Sequence, residues 1–253
     1  MLLDTSTRIE VASRQVFTPR KCLLKNEIAI SAPPVGPRLD WVNLAWKSSA
    51  WALLLGSILY YVRRDALHYL FNYSSESFKG FWSERILIRM HVASAVTMIF
   101  TGTFQLWTGL RMRYMVFHTW LGRVYLLTGV FVGCSALYMG MHPRLGGIVY
   151  GFGLFLNGLF WLAAASMAYY AIRIGNVQAH KIWMIRAYIL CFAGIVGDRI
   201  IPDMTFVSQR IGTEALNDIS GWANWAVPLM VVEVWMQIRS FRKKPHRSFS
   251  TQF

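Results

Sequence analysis

Residues 111–133 read RMRYMVFHTWLGRVYLLTGVFVG, and this stretch decides how the rest of the chain is interpreted. It is apolar enough to cross a membrane, yet it carries His118 and Arg123 in its first turns. Such side chains are costly inside a bilayer unless they have a task or a partner. Steps of three and four from His118 define a face of almost only small residues: Gly122, Tyr125, Gly129, Gly133, Ala136 and Gly140.

That face allows two interpretations. It could receive a planar cofactor held by His118, or it could pack closely on another helix while the histidine is hydrogen-bonded at the membrane interface. The segment alone favours close helix packing, because a lone histidine is a weak signal.

The composition of the chain indicates a membrane protein. Of 253 residues, 55% are hydrophobic and 15% are charged, against about a quarter charged in a soluble domain. This predicts an all-α, multi-pass membrane protein with the lipid bilayer as its main partner. The net charge of +14 resides in tails and short loops, where it sets orientation and contacts anionic lipid, so nucleic acid is not expected as a partner.

Hydropathy divides the chain into a flexible cytosolic arm (1–40), a helical bundle (41–239) and a basic cytosolic tail (240–253). The bundle has six predicted spans, at about 42–62, 86–109, 118–139, 146–172, 181–201 and 220–239. Assigning Lys and Arg to alternating sides puts 16 on the side of the termini and 7 on the other. Both termini are therefore predicted to be cytosolic. Residues 63–85 are predicted to lie on the membrane surface, with a re-entrant segment left open.

Polar residues within the spans form two predicted layers. In the inner layer, His118 and His180 open the third and fifth spans, and Arg123, Arg186 and Glu233 lie roughly 8 to 9 Å deeper at about 1.5 Å per residue. The charged groups form either an ion-pair network needed only for folding or a site with one arginine available for an anionic group.

The outer layer brings together Arg89 and His91 on the second span, Asp198 and Arg199 on the fifth, and His142 in a loop. Histidines at two levels are what a two-haem membrane cytochrome requires. However, no single span carries histidines at both levels.

Several of these residues fall in short motifs: HTWLGRVY from His118 to Tyr125, and HKIWMIR from His180 to Arg186, with His91, Gln105 and Arg111 before them. Together the motifs resemble the multi-pass membrane family known as domain of unknown function 2306, over about residues 85–200. The matching positions are His91, His118, Arg123, His180, Trp183, Met184 and Arg186. The resemblance implies a topology, a distant kinship with transmembrane b-type cytochromes, and for fungal members a link to natural-product pathways.

Three functions remain open. The first is a haem b protein that transfers electrons or supports a partner oxidoreductase, with His118 and His180 as axial metal ligands and Arg123 and Arg186 near the propionates. The second is a non-haem enzyme or accessory protein acting on a lipophilic substrate of a biosynthetic pathway, with Glu233 or Asp198 supplying acid chemistry. The third is a transporter or structural subunit.

The candidate site residues follow from these hypotheses. Catalytic candidates are Glu233, Arg186 and Arg123. Cofactor-binding candidates are His118, His180, His91, Gly122, Trp183 and Met184. The central expectation is that His118 and His180 converge on one site at the cytosolic face, walled by Trp183 and Met184.

Overall fold

Helices form all the regular secondary structure in the part of the chain that the computed structural model describes: residues 41–76, 78, 82–107, 112–142, 147–194, 209–210 and 212–243. The helices are α1 (Trp41–Tyr61), α2 (Leu67–Phe71), α3 (Arg85–Leu106), α4 (Met115–Met141), α5 (Gly147–Arg173), α6 (Val177–Phe192) and α7 (Thr213–Lys243). The chain divides into two units, Met1–Trp46 and Lys47–Phe253. Only the start of α1 is described in the first unit, and the contacts below belong to the second.

Three helical segments are long and apolar enough to cross a membrane: Trp82–Leu106, Met115–Met141 and Gly147–Arg173. They coincide with the second, third and fourth predicted spans. The prediction of an all-α membrane protein is therefore confirmed. Helices also occur at the other three predicted spans, whereas the count of six crossings and the cytosolic termini stay predictions.

Two predicted loops are partly helical. After α1 the helix continues through a π-helical turn, Val62–Ala66, into α2, so residues 63–71 are helical, and their position on the membrane surface stays a prediction. Similarly, α7 begins at Thr213, between the fifth and sixth predicted spans at 181–201 and 220–239. In both places polar residues lie on a continuing helix, which average hydropathy does not reveal. The predicted arm at 1–40 and most of the predicted tail lie outside the described residues.

Helices α3 to α6 form an antiparallel four-helix bundle. Helix α4 packs along α3 and α5, and α6 packs along α5 and also contacts α3. Because α3 and α5 are both neighbours of α4 and α6, the last two lie diagonally across the bundle. Helix α7 packs outside the four, against α5 and α6.

Small residues allow the closest helix crossings. A Cβ on Gly140 of α4 would lie 2.6 Å from the carbonyl oxygen of Gly151, and one on Gly153 of α5 would lie 2.4 Å from that of Gly221 on α7. Gly147, which forms a GxxxG packing motif with Gly151 in the sequence, behaves differently. It has φ of +76°, and a Cβ placed on it would have no neighbour within 4 Å. This glycine is therefore needed for the left-handed backbone conformation at the start of α5 and not for helix packing.

Candidate functional site

The turn between α5 and α6 determines where His180 lies. Gly175 has φ of +78°, which ends α5 in the left-handed conformation that glycine tolerates. Asn176 then caps α6, its side-chain oxygen accepting a hydrogen bond from the amide of Ala179 at 3.0 Å. This three-residue reversal brings His180 beside the end of α5, where its Nδ1 is 2.9 Å from the carbonyl oxygen of Ala168. Because a carbonyl only accepts, Nδ1 carries the proton and Nε2 carries the lone pair.

His118 lies in the first turn of α4, against the end of α3. Its carbonyl oxygen accepts a hydrogen bond from the Gln105 side-chain amide at 2.7 Å. A Cβ on Gly122 would be 3.6 Å from the same amide nitrogen, an ordinary contact. Gln105 therefore joins α3 to the first turns of α4, and Gly122 lies beside this bond.

The contacts put the two histidines at the same end of the bundle. Gln105 is near the end of α3 and Ala168 near the end of α5, and these two helices are parallel because both run antiparallel to α4. His118 and His180 thus lie on diagonal helices at one end, in agreement with the predicted depths. That they share one ligand stays a prediction.

The glycine face of α4 is filled by side chains of α5. A Cβ on Gly129 would lie 2.1 Å from the Trp161 ring, and one on Gly133 would lie 2.8 Å from Leu162. At Gly129 and Gly133 this face is therefore used for helix packing, the interpretation that the segment alone favoured. The flat group against Gly129 is the indole of Trp161.

An aromatic cluster closes the centre of the bundle below the two histidines. Tyr125 is fully buried, and its hydroxyl accepts a hydrogen bond from Trp161 Nε1 at 3.3 Å. Tyr188 bonds to Thr103 at 2.8 Å, and a Cβ on Gly102 would lie 2.8 Å from both tyrosine rings. These rings fill the middle of the bundle around Gly102.

Arg186 and Glu233 form an ion pair between α6 and α7. Arg186 Nε donates to Glu233 Oε1, and Nη2 donates to Oε2 at 2.9 Å. The Arg186 guanidinium also lies 4.4 Å from the centre of the Trp183 ring. The side chains of Trp183 and Met184 pack against the hydrophobic core, and the former holds the guanidinium in place.

Arg123 does not join this pair, so it is not part of the ion-pair network that was one of the two interpretations of the charged layer. It is five residues from His118, so it projects about 140° away around α4. Its side chain is exposed and lies 4.9 Å from the ring centre of Trp120. A basic and an aromatic residue on the outer face of a membrane helix typically anchor it at the interface.

At the opposite end of the bundle, His91 Nδ1 lies 2.6 Å from the hydroxyl of Ser135 on α4. The Ser135 hydroxyl donates to the Phe131 carbonyl at 2.7 Å, so it accepts from the histidine. This bond fastens α3 to α4 and gives His91 a structural task.

The other residues of the predicted outer layer do not contact one another where the structure describes them. Arg89 donates to the Leu70 carbonyl, and His142 is exposed and stacks on Tyr138 of its own helix. Arg89, His91 and His142 thus contact different neighbours and do not form the expected cluster. Asp198 and Arg199 lie outside the described residues.

Sequence reasoning missed a polar cavity between α5, α6 and α7. It is lined by Asn157, Ser220 and Asn224 together with Tyr150, Leu154 and Trp225. Asn224 was visible in the sixth predicted span, but Asn157 was overlooked inside a segment without charge. An isolated amide in an apolar span is the signal that could have found it.

Among the described residues, no group of three or more His, Cys, Asp or Glu side chains could hold a metal ion. The predicted metal site needs only two histidines and is of a different kind. Comparison with curated proteins gave no match. Comparison with solved structures gave none either.

A family model described as a predicted membrane protein, DUF2306, matches residues 88–236. The match begins near the start of α3 and reaches into α7, further than the expected 85–200. It includes every residue placed above in the two-histidine end, the ion pair and the polar cavity. Since it covers more than half of the chain, the protein belongs to the DUF2306 family of predicted membrane proteins.

Proposed function

We propose that the protein binds a b-type haem at the end of the bundle that carries His118 and His180, and exchanges electrons with a partner oxidoreductase. The observation that carries this proposal is the position of the two histidines, at one end of diagonal helices in an antiparallel four-helix bundle. Facing helices of such bundles are a common scaffold for cofactor sites. When bound, haem b supplies reversible one-electron transfer.

The hydrogen bond of His180 supports a ligand role. Metal-binding histidines usually donate their second ring N–H to a carbonyl or carboxylate, which fixes the ring and leaves the other nitrogen for the metal. His180 has this arrangement with Ala168, and the capped turn at Gly175 and Asn176 holds the ring in place. The arrangement of His180 is therefore the one expected of a metal-binding histidine.

The residues around the two histidines determine how the site is shielded and which groups could contact the haem propionates. Tyr125 and Tyr188 close the bundle below the histidines, so they exclude water and lipid from that side. Two nitrogens of Arg186 bind Glu233, so a propionate near it would share the guanidinium with that carboxylate. Arg123 projects away from the bundle centre, which makes it the less suitable of the two arginines for the predicted propionate role.

The same ion pair weakens the alternative of acid catalysis. A general acid must hold a proton at the start of the reaction. Glu233 accepts two hydrogen bonds from a guanidinium, and this arrangement stabilises the ionised carboxylate. The haem proposal therefore has more geometric support than acid chemistry at Glu233.

Absorbance spectroscopy tests the proposal. The full chain would be purified in detergent after expression with added haem precursor, and also titrated with hemin. We expect a Soret band that shifts on reduction with dithionite, and we expect H118A and H180A each to abolish it. Added imidazole should restore part of the band, because it can replace the missing ligand.

H142A is the matched control, since His142 is an exposed histidine at the opposite end of α4. It should keep the wild-type spectrum. Wild-type protein that is folded but neither purifies with haem nor binds hemin would overturn the proposal. So would variants of both histidines that retain the wild-type spectrum.

A further inference from the structure

The cavity between α5, α6 and α7 has a volume of about 10 Å³ and combines amide, hydroxyl and apolar walls. We infer that this cavity is a binding site for one neutral hydrogen-bond donor, either a water molecule or the hydroxyl group of a lipophilic alcohol. The cavity lies in the half of the bundle away from His180, so the inference does not depend on haem binding.

The need for a donor comes from Asn157. Its Oδ1 is buried and has no hydrogen-bond partner within the described chain. A buried acceptor left in this state destabilises the fold, because it has lost its bonds to water without gaining another. Asn157 is ten residues into α5, roughly 15 Å from the start of a 27-residue candidate span, where lipid offers no donor.

Ser220 adds a second acceptor. Its hydroxyl donates to the Asn217 carbonyl at 2.8 Å, so its proton is already used. Ser220 lines the cavity, and its oxygen can then only accept. The unpartnered Asn157 Oδ1 together with this hydroxyl oxygen favours a guest that supplies an O–H group.

Size and charge limit the guest. A polar cavity needs roughly 10–15 Å³ and two to four polar partners to hold one water molecule. The described lining residues are uncharged, so nothing there would balance an ion. One oxygen fits, and Leu154 and Trp225 offer the apolar contacts that a chain attached to that oxygen would make.

Gly194, two residues after the end of α6, keeps the amide in position. A Cβ at this position would be 2.2 Å from Asn157 Nδ2, which is far inside contact distance. Any larger residue at 194 must push the amide out of its position and disturb the site. Gly194 therefore positions Asn157, and G194A perturbs the site without changing its polar groups.

The first test measures thermal unfolding midpoints in detergent. N157L removes the acceptor and fills the cavity with carbon. If a guest is bound, N157L should lower the unfolding midpoint by about 2–4 °C or more. G194A should also lower it. G56A is the matched control, because a Cβ on Gly56 has no neighbour within 4 Å. A higher midpoint for N157L would show that the amide was unsatisfied and would overturn the inference.

The second test separates the two sources of the hydroxyl. 1-Octanol and octyl methyl ether are similar in size, but only the alcohol donates a hydrogen bond. A wild-type midpoint raised by the alcohol and not by the ether, with no such difference in N157L, assigns an alcohol. Equal effects of the two compounds, together with a destabilised N157L, assign water.

A third measurement needs no variant. A high-resolution cryo-EM map of the wild-type protein should show density within about 3.2 Å of Asn157 Oδ1. An empty cavity at a resolution where other buried waters are visible would overturn the inference even if N157L fails to fold.

Discussion

Glu233 and Arg186 should be energetically coupled, and a double-mutant cycle can measure the coupling. E233Q keeps the size of its side chain and R186Q shortens its side chain, and these variants and the double variant remove one or both charges. The two groups share two hydrogen bonds and are only 22% and 34% exposed, for Arg186 and Glu233 respectively. Removing either charge therefore leaves the other without its counter-ion in a partly buried place.

The magnitude follows from distance and exposure. Two unit charges about 4 Å apart attract by about 4 kcal/mol at an effective dielectric constant of 20. Breaking a fully buried pair typically costs about 3–5 kcal/mol, and partial exposure reduces this through screening. We expect each single variant to lose about 1–3 kcal/mol of unfolding free energy. The double variant should be no worse than the worse single one, giving a coupling of about 1 kcal/mol or more.

Reversible unfolding in bicelles or mixed micelles, followed by tryptophan fluorescence, would provide the four free energies. R123Q is the control, because Arg123 is exposed and contacts Trp120 instead of the pair. It should change stability little and should add independently to E233Q. Strictly additive losses for E233Q and R186Q would refute the reasoning, since additivity means that the two side chains do not meet.

Three further predictions concern packing and topology. G129A should lose about 1–3 kcal/mol of unfolding free energy, because its Cβ would lie 2.1 Å from Trp161, and W161F should relieve part of that loss; equal stability of G129A and wild type would contradict the packing. S135A should lose about 1 kcal/mol, because His91 loses a hydrogen-bond partner on α4, and an unchanged unfolding midpoint would show that this bond does not join the helices. Tags at the two termini should respond alike to protease in sealed vesicles, and cleavage of only one would mean an odd number of crossings.

The helices could be predicted from the sequence because their signals are local. An apolar run of about 20 residues between aromatic and basic ends predicts a spanning helix whatever its neighbours are. The same depth arithmetic placed His118 level with His180 and Arg186 level with Glu233. Those comparisons use only the rise per residue and the alternating direction of the helices. They therefore do not require knowledge of how the helices pack.

The direction of each side chain was harder to predict. Arg123 and Arg186 have the same depth, but Arg123 lies on the outer face of α4 and Arg186 faces α7. Depth therefore did not determine which charges meet. The face of Arg123 could have been read from its five-residue offset from His118, whereas the partner of Arg186 depended on how α7 docks.

What fills a face of small residues cannot be predicted from that face alone. The glycines of α4 indicated that something approaches closely, and the choice between a cofactor and a helix depended on Trp161, which is 32 residues beyond Gly129 in sequence. Trp161, Tyr125 and Tyr188 together occupy the middle of the bundle. The two-histidine end and the polar cavity are thereby separated by a packed layer of aromatic rings. If haem binds at His118 and His180 as proposed, it lies near the face of the membrane where α4 and α6 begin, and we expect the partner to bind that face.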